Sequence, residues 1–545
     1  MKAFFRSPSG YIAIIFILLT LVVYTAGLFI SVTRDGSKYA TIAREVYETG
    51  DWINLKVHGE PYDQKPPMTF WLAALSFHVF GLSNFAFKLS FLLLALFGVY
   101  STYRLGQSMY GKRTGILAAA LFATSEVFFL YYMDIHTDSV MMPFVAFALW
   151  QLYDFIKKKR TLNCMLGFAS IGLAMLCKGP VGAVVPGFAV LGHLVFTKQF
   201  KRFADIRWYI GIVLAFAFTL PALSGLYNQF GMEGIRFYYW TNNFGRMQGE
   251  LGAMRNDYSY FAVILLYLFI PWMLSLFSSI FFNFKWLIKH RFHAREFFLF
   301  SGIWFYFIVL TISKGKLPNY ILSIVPFFSI LTAKYLALAL SLKKEKLYRY
   351  FLWLQNVVAI LLGIATVVFI TWLFPVKNLL LWAVFVLMQA LALFSTRKQN
   401  PKFVRLLYPS MAASITLSFF INVHIAPQIF SDQASVKAAG IVNERANDDD
   451  KIYNYNYSSY ELYFYSKIPV EPLENDVSVI KKLKEPGNWI FTDKKVVERL
   501  QGDYPPPEVI PLRHVWVNKL SSKYINPKTR ESKRDTLYLL HSTAE

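Results

Sequence analysis

The chain has 545 residues, 55% of them hydrophobic and 18% aromatic, with a formal net charge of +23. Its mean hydropathy is +0.39, and apolar runs of membrane-crossing length, roughly 18 residues or more, recur along most of it, which excludes a soluble globular protein. The positive charge is spread over short loops between those runs, as membrane orientation requires, and not gathered into a nucleic-acid footprint, so no nucleic-acid partner is expected.

The first apolar segment, 10–32, follows Lys2 and Arg6. It exceeds the roughly 7–15-residue core of a signal peptide and is read as a retained helix. Further spans are predicted near 84–104, 114–132, 138–156, 162–178, 180–197, 208–226, 258–283, 296–313, 319–341, 350–374, 378–396 and 404–424, which makes thirteen. The break between two of them rests on Lys178-Gly179-Pro180, because proline ends one helix and can open the next. Cys164 and Cys177, the only cysteines, fall in one span about 20 Å apart at helical rise. That is too far for a disulfide, and they read as small apolar fillers.

If the amino terminus is cytoplasmic, the loops on that side carry Arg104…Lys112-Arg113, Lys157-Lys158-Lys159-Arg160, Lys198…Lys201-Arg202, Lys285…Lys289…Arg291, Lys343-Lys344…Lys346 and Arg397-Lys398…Lys402. On the other side, 131–138 has no Lys or Arg and 33–83 mixes both signs. The positive-inside rule favours this orientation, with external loops 33–83 and 227–257 and everything past about 425 outside. The expected class is mainly α: a transmembrane domain, 1–424, followed by a soluble domain, 425–545. In the latter, strand-like runs 451–457, 460–466, 488–493 and 536–542 enclose helix-like 477–485 and 494–500, a small α/β pattern. In a bacterium the external side is the periplasm, where an activated substrate would have to be lipid-borne.

The notable charges gather on that external side. Asp35 directly follows the first span, and Ala40, Ala43, Val46 and Tyr47 recur at helical spacing after it, which suggests an amphipathic helix on the membrane surface. Asp35 is either its N-cap or a catalytic carboxylate, with Lys38 one turn on. Asp138 opens the fourth span, where an acid also suits the helix dipole; beside it stand Asp134, and Tyr131, Tyr132 and His136, which read as interfacial. Lys314 and Lys316, in Ser313-Lys314-Gly315-Lys316-Leu317-Pro318-Asn319-Tyr320, either hold an anion or only break the helix. Arg236, Arg246 and Arg255, spaced by aromatics, either bind a phosphorylated head group or skim the interface.

The set Asp35…Lys38-Tyr39-Ala40, Gly50-Asp51-Trp52, Pro61-Tyr62…Lys65-Pro66-Pro67 with Trp71, Asp138, Lys178-Gly179-Pro180, Asn243-Phe244-Gly245-Arg246 and Lys316-Leu317-Pro318-Asn319-Tyr320 resembles the GT-C membrane glycosyltransferases that use polyprenyl-phosphate sugars. Within them it is most similar to the bacterial lipid A aminoarabinose transferases and the protein O-mannosyltransferases. The resemblance implies a GT-C fold and roles for individual residues. Asp35 activates or orients the acceptor and Asp138 is the second-loop acid. Lys65 holds the donor phosphate, with Tyr62, Tyr320, Lys38 and Arg246 near it; Lys178 and Lys316 are further candidates. Pro66 and Pro67 stiffen the chain after Lys65. Where the family often has Asp-Glu with Arg three residues after the Asp, this chain has Gly36 and Lys38. Where the aminoarabinose enzymes have an acid that can contribute to a metal site, it has Gln64, a poor ligand for zinc or magnesium, so no metal is assigned.

The expected activity is inverting transfer of a sugar from an undecaprenyl-type phosphate donor to lipid A at the periplasmic face of the inner membrane. Protein Ser/Thr or a surface polysaccharide are the alternative acceptors. A transporter or flippase is the rival of another class, but its charges should lie near the bilayer midplane, and here they gather at external helix ends.

Overall fold

The computed structural model describes residues 8–32, 35–133, 135–245, 248–249, 256–290, 294–341, 344–503, 508–517 and 520–542. Among these, eight helices are long and apolar enough to cross a membrane: Asn84–Tyr110, Thr137–Lys158, Thr161–Lys178, Ile206–Asn243, Arg295–Ile312, Pro318–Ala339, Glu345–Leu373 and Lys402–Phe430. Each falls on a predicted span. Shorter apolar helices cover Ile14–Leu28, Met68–Phe80, Val181–Phe196 and Leu379–Ser395. The helix Met68–Phe80 lies inside what the sequence reads as a loop. The chain is a multi-pass membrane protein.

Two predicted spans are each split. The span 114–132 is two helices, Lys112–Ala123 and Glu126–Met133, and 258–283 is also two, Tyr260–Leu268 and Met273–His290. Pro271 cannot continue a helix, and the hydroxyls of Thr124 and Ser125 turn back onto the carbonyls of Ala120 and Phe122. The two breaks face each other. The Glu126 amide donates to the Ile270 carbonyl at 2.8 Å, and Trp272 Nε1 donates to Thr124 Oγ1 at 3.1 Å. In a lipid environment, freed backbone groups need partners of this kind.

After the membrane part comes a five-stranded mixed sheet: β3 (Lys451–Asn454), β4 (Val470–Pro472), β5 (Asn488–Asp493), β6 (Glu508–His514) and β7 (Asp535–His541), in the order β4-β3-β5-β7-β6. The hairpin strands β1 (Lys56–Val57) and β2 (Glu60–Pro61) precede it in the first loop. Alternate sheet residues serve two cores. Ile452, Trp489, Phe491 and Leu539 pack with Ala434–Arg445, and Tyr453, Ile490 and Leu540 pack with Val479, Val496 and Val497. The predicted strand 460–466 is instead a short helix, Tyr460–Tyr465. The reason is tertiary: Arg44 Nη1 donates to the carbonyls of Tyr463 at 2.8 Å and Ser466 at 2.6 Å, satisfying groups that a helix end leaves orphaned.

Candidate active site

Residues after the first span form the helix Asp35–Thr49. Tyr39, Ala40, Ile42, Ala43 and Val46 make its buried stripe. Protein covers this stripe where the sequence suggested a membrane surface: the helix packs on Met68–Phe80 and on Tyr460–Tyr465. Asp35 stands in its first turn with a side chain 57% exposed, and Lys38 follows one turn on.

Next comes the hairpin β1–β2. His58 and Gly59, with φ of 56° and 77°, make the left-handed two-residue turn that matches strand twist. The hairpin returns the chain so that the Tyr62 amide donates to Leu55 O at 2.9 Å, delivering Tyr62, Gln64 and Lys65 to one place. Asn242 Nδ2 holds the Gln64 carbonyl at 3.0 Å, Pro67 caps Met68–Phe80, and Trp71 Nε1 donates to the Trp52 carbonyl at 2.6 Å.

Three other elements converge there: the start of Thr137–Lys158, the end of Thr161–Lys178 and the 3₁₀ turn Pro318–Ile324. Gly179 leaves the helix at φ +72°, a conformation that favours glycine, and so leaves Lys178 as the last helical residue. Lys178 Nζ lies 2.5 and 2.6 Å from the two Asp138 oxygens. Asn319 Nδ2 donates to the second of these oxygens at 2.5 Å, and the ammonium sits 3.8 Å from the centre of the Tyr320 ring.

Together these groups line a cavity of about 440 Å³. Seven of the sequence-derived site residues are on its wall: Asp35, Lys38, Tyr62, Lys65, Asp138, Lys178 and Tyr320. Lys316 is not. It is buried, and its Nζ donates to the Asp257 carbonyl at 2.7 Å. Arg246 and Asp134 lie outside the described residues. His136, which the sequence suggested was interfacial, lines the cavity with Nδ1 3.8 Å from Asp35 Oδ2. Its position two residues ahead of Asp138 was the available signal. Nothing local announced Tyr460, whose ring comes within 5.6 Å of Lys38 Nζ from the far end of the chain.

Burial lowers the Lys38 ammonium below the ordinary lysine range, and Asp35 and Asp63 pull it partway back. Its Nζ donates to Gln64 Oε1 at 2.9 Å and lies 4.8 Å from the Tyr62 ring centre. Burial pushes the Tyr62 hydroxyl well up. Behind the hairpin, burial and then Lys38 push His58 down to about 4, where its ring stacks on Tyr463 at 3.4 Å.

Residues 64–224 match the family described as dolichyl-phosphate-mannose-protein mannosyltransferase. A Serratia proteamaculans protein named undecaprenyl phosphate-alpha-4-amino-4-deoxy-L-arabinose arabinosyl transferase is 25% identical over 70% of this chain and 68% of its own. A Proteus mirabilis protein of the same type is 26% identical over 55% of this chain and 54% of its own. An uncharacterized protein of Aquifex aeolicus is 28% identical over 68% of this chain and 72% of its own. The crystal structure of ArnT from Cupriavidus metallidurans bound to undecaprenyl phosphate superposes with a TM-score of 0.74, at 16% identity, covering 98% of both chains. The chain has the GT-C fold and is similar in sequence to the named aminoarabinose transferases.

Gln64 does not suit a divalent ion. The Gln64 side-chain oxygen is taken by Lys38, and among the described residues no three His, Cys, Asp or Glu side chains cluster to hold one. A second cavity of about 590 Å³, lined by apolar side chains including Met175, Pro180, Trp208 and Trp240, flanks the turn that carries Lys178.

Proposed function

We propose that this protein is an inverting glycosyltransferase that moves a 4-amino-4-deoxy-L-arabinose-type sugar from undecaprenyl phosphate to lipid A at the periplasmic face of the inner membrane. The amino terminus is then cytoplasmic and the sheet domain periplasmic. One observation carries the reading: a GT-C fold brings a solvent-reachable carboxylate, Asp35, together with Lys38 and Lys65 on the wall of one cavity. The Serratia and Proteus relatives, by name undecaprenyl phosphate sugar transferases, support the donor class.

In this mechanism the donor phosphate lies against Lys65 and Lys38, with Tyr62 and Tyr320 beside it. The polyprenyl chain follows the apolar cavity next to Lys178. An acceptor oxygen forms a bond to the anomeric carbon as the bond from that carbon to the phosphate oxygen breaks. The electron pair leaves on the phosphate, where the fixed ammonium groups stabilise the growing charge. A hydroxyl acceptor passes its proton to Asp35; an ionised phosphate acceptor has none to pass and is oriented by it. Asp138 has both oxygens engaged, so its part is to hold Lys178 in place.

The test is a mass spectrum of lipid A from cells making this protein, against cells making Asp35→Asn. A pentosamine-sized mass gain with the intact protein alone is expected. If lipid A gains nothing while a membrane protein or a surface glycan does, the acceptor is wrong and the transferase stands. The protein acceptor is the second reading, favoured by the match of residues 64–224 to protein mannosyltransferases.

A further inference from the structure

The helices Glu345–Leu373 and Leu379–Ser395 both pack on Lys402–Phe430, and a groove of about 670 Å³ runs between them. Most of its wall is apolar, but Asn356, Gln389 and Thr396 stand in it. Gly363 opens its middle: the nearest atom that a Cβ there would meet is Gln389 Oε1, 3.6 Å away. Gln389 Nε2 is buried and has no hydrogen-bond partner among the described residues. In hydrocarbon an unpaired donor is costly. The groove therefore suits an occupant that is apolar along its length and brings an acceptor to Gln389.

One end of the groove is basic. The Leu373 end of the first helix meets the sheet domain, where Arg530 Nη2 donates to the Leu373 carbonyl at 2.5 Å. The Glu345 end lies at the opposite membrane face. There, residues 344–349 and 396–405 carry seven lysines and arginines against one carboxylate, Glu345. That carboxylate is already shared by Lys402 at 2.5 Å and Arg349 at 3.3 Å. Arg349 falls on the helix face of Asn356 and Gly363, and Arg405 lies one turn before Pro409, which lines the groove. Arg405 Nε is also buried with no hydrogen-bond partner among the described residues. Gln389 sits six residues inside Ser395, about 9 Å deeper at helical rise.

We infer that this groove binds one anionic glycerophospholipid. Its phosphate rests on Arg349 and Arg405, an ester carbonyl accepts from Gln389 Nε2, and the acyl chain runs past Gly363. A polyprenyl phosphate would offer the phosphate and the apolar chain but no acceptor at the depth of Gln389. In the orientation proposed above, the basic end faces the cytoplasmic leaflet, whose surface is anionic. The inference goes beyond the transferase reading and does not depend on it, since the groove opens at the membrane face away from Asp35.

The experiment uses the full chain, delipidated in detergent micelles and given equal amounts of dioleoyl phosphatidylglycerol and dioleoyl phosphatidylethanolamine, with bound lipid counted by native mass spectrometry. One phosphatidylglycerol per chain should be retained over phosphatidylethanolamine. Equal retention of the two means an annular lipid only and overturns the site; so does a lipid-free dimer, which would make a second copy the occupant. Arg349→Gln and Arg405→Gln should each weaken phosphatidylglycerol binding about fivefold, the size of one cation near an anionic surface. Gln389→Leu should weaken it too, without lowering the unfolding temperature of the lipid-free chain. Gly363→Leu keeps every charge but fills the groove and should abolish retention, while Gly363→Ala, which leaves the groove open, should bind as wild type. Undiminished binding in Gly363→Leu or in Gln389→Leu would reduce the site to a basic surface patch and overturn the proposal.

Discussion

Asp138 and Lys178 form a closed pair. Both carboxylate oxygens lie within 2.6 Å of one ammonium, and the side chains are only 1% and 12% exposed. Two helices meet through this pair at the cavity wall, with Asn319 as a third partner. A charge so enclosed is held by its partner, and the consequences of removing either can be stated.

Asp138→Ala leaves the Lys178 ammonium buried without its counter-ion. Breaking a buried pair in this way costs about 3–5 kcal/mol, so thermal unfolding in detergent should shift strongly downward. Asp138→Ala combined with Lys178→Met removes both charges and should recover much of the loss. If the double variant is no more stable than Asp138→Ala, the pair is not the cause.

Asp35→Asn should behave in the opposite way. Its carboxylate is 57% exposed, so thermal stability should be unchanged. Loss of a general base costs about 10²–10⁴-fold in rate, and transfer to a hydroxyl acceptor should fall by that range. A fall confined to a few-fold would point to an ionised acceptor that Asp35 only orients.

Lys38 should set an alkaline limb in the pH profile of kcat/KM. Burial holds its ammonium below the ordinary lysine range, and Asp35 and Asp63 oppose that shift. In the proposed reaction the charged form stabilises the leaving phosphate, so activity should fall as pH rises through the lowered value. Asp63→Asn removes one opposing charge and should move the limb to lower pH; Lys38→Arg should remove the limb. An alkaline limb unmoved by either change assigns it elsewhere.

The His58 ring, neutral and stacked on Tyr463, should make the contact between the first loop and the sheet domain acid-sensitive. Its folded value of about 4 lies below the ordinary histidine value of 6.5. The unfolded chain therefore binds the proton more readily, and stability present in full above about 6.5 is lost progressively as pH falls towards 4. His58→Asn keeps a residue that tolerates the left-handed turn and should flatten the dependence of unfolding temperature on pH in that window. A slope equal to wild type would exclude His58 as its source.

The eight helices long enough to cross a membrane were legible because they rest on long apolar runs, and the break at Lys178-Gly179-Pro180 because glycine and proline act locally. The two split spans were not, since what stabilises each break is the other one, far away in sequence. Tyr460–Tyr465 was misjudged for the same kind of reason: alternating aromatics suggest a strand, and the Arg44 contacts that favour a helix lie 419–422 residues away. In the site, Asp35, Lys38, Tyr62 and Lys65 belong to one short stretch whose chemistry stands out. The Asp138–Asn319 contact, spanning 181 residues, and the reach of His136 to Asp35 depend on how helices are set side by side, which no local pattern records.

The Arg44 contacts also order events in time. The carbonyls that fix this arginine are made 419–422 residues after it, when the ribosome has already produced every membrane helix. Until that late segment has folded, the helix carrying Asp35 and Lys38 has Met68–Phe80 against its buried stripe but lacks its second cover. A nascent chain therefore carries Asp35 and Lys38 on a helix whose second partner, Tyr460–Tyr465, arrives only with the last domain.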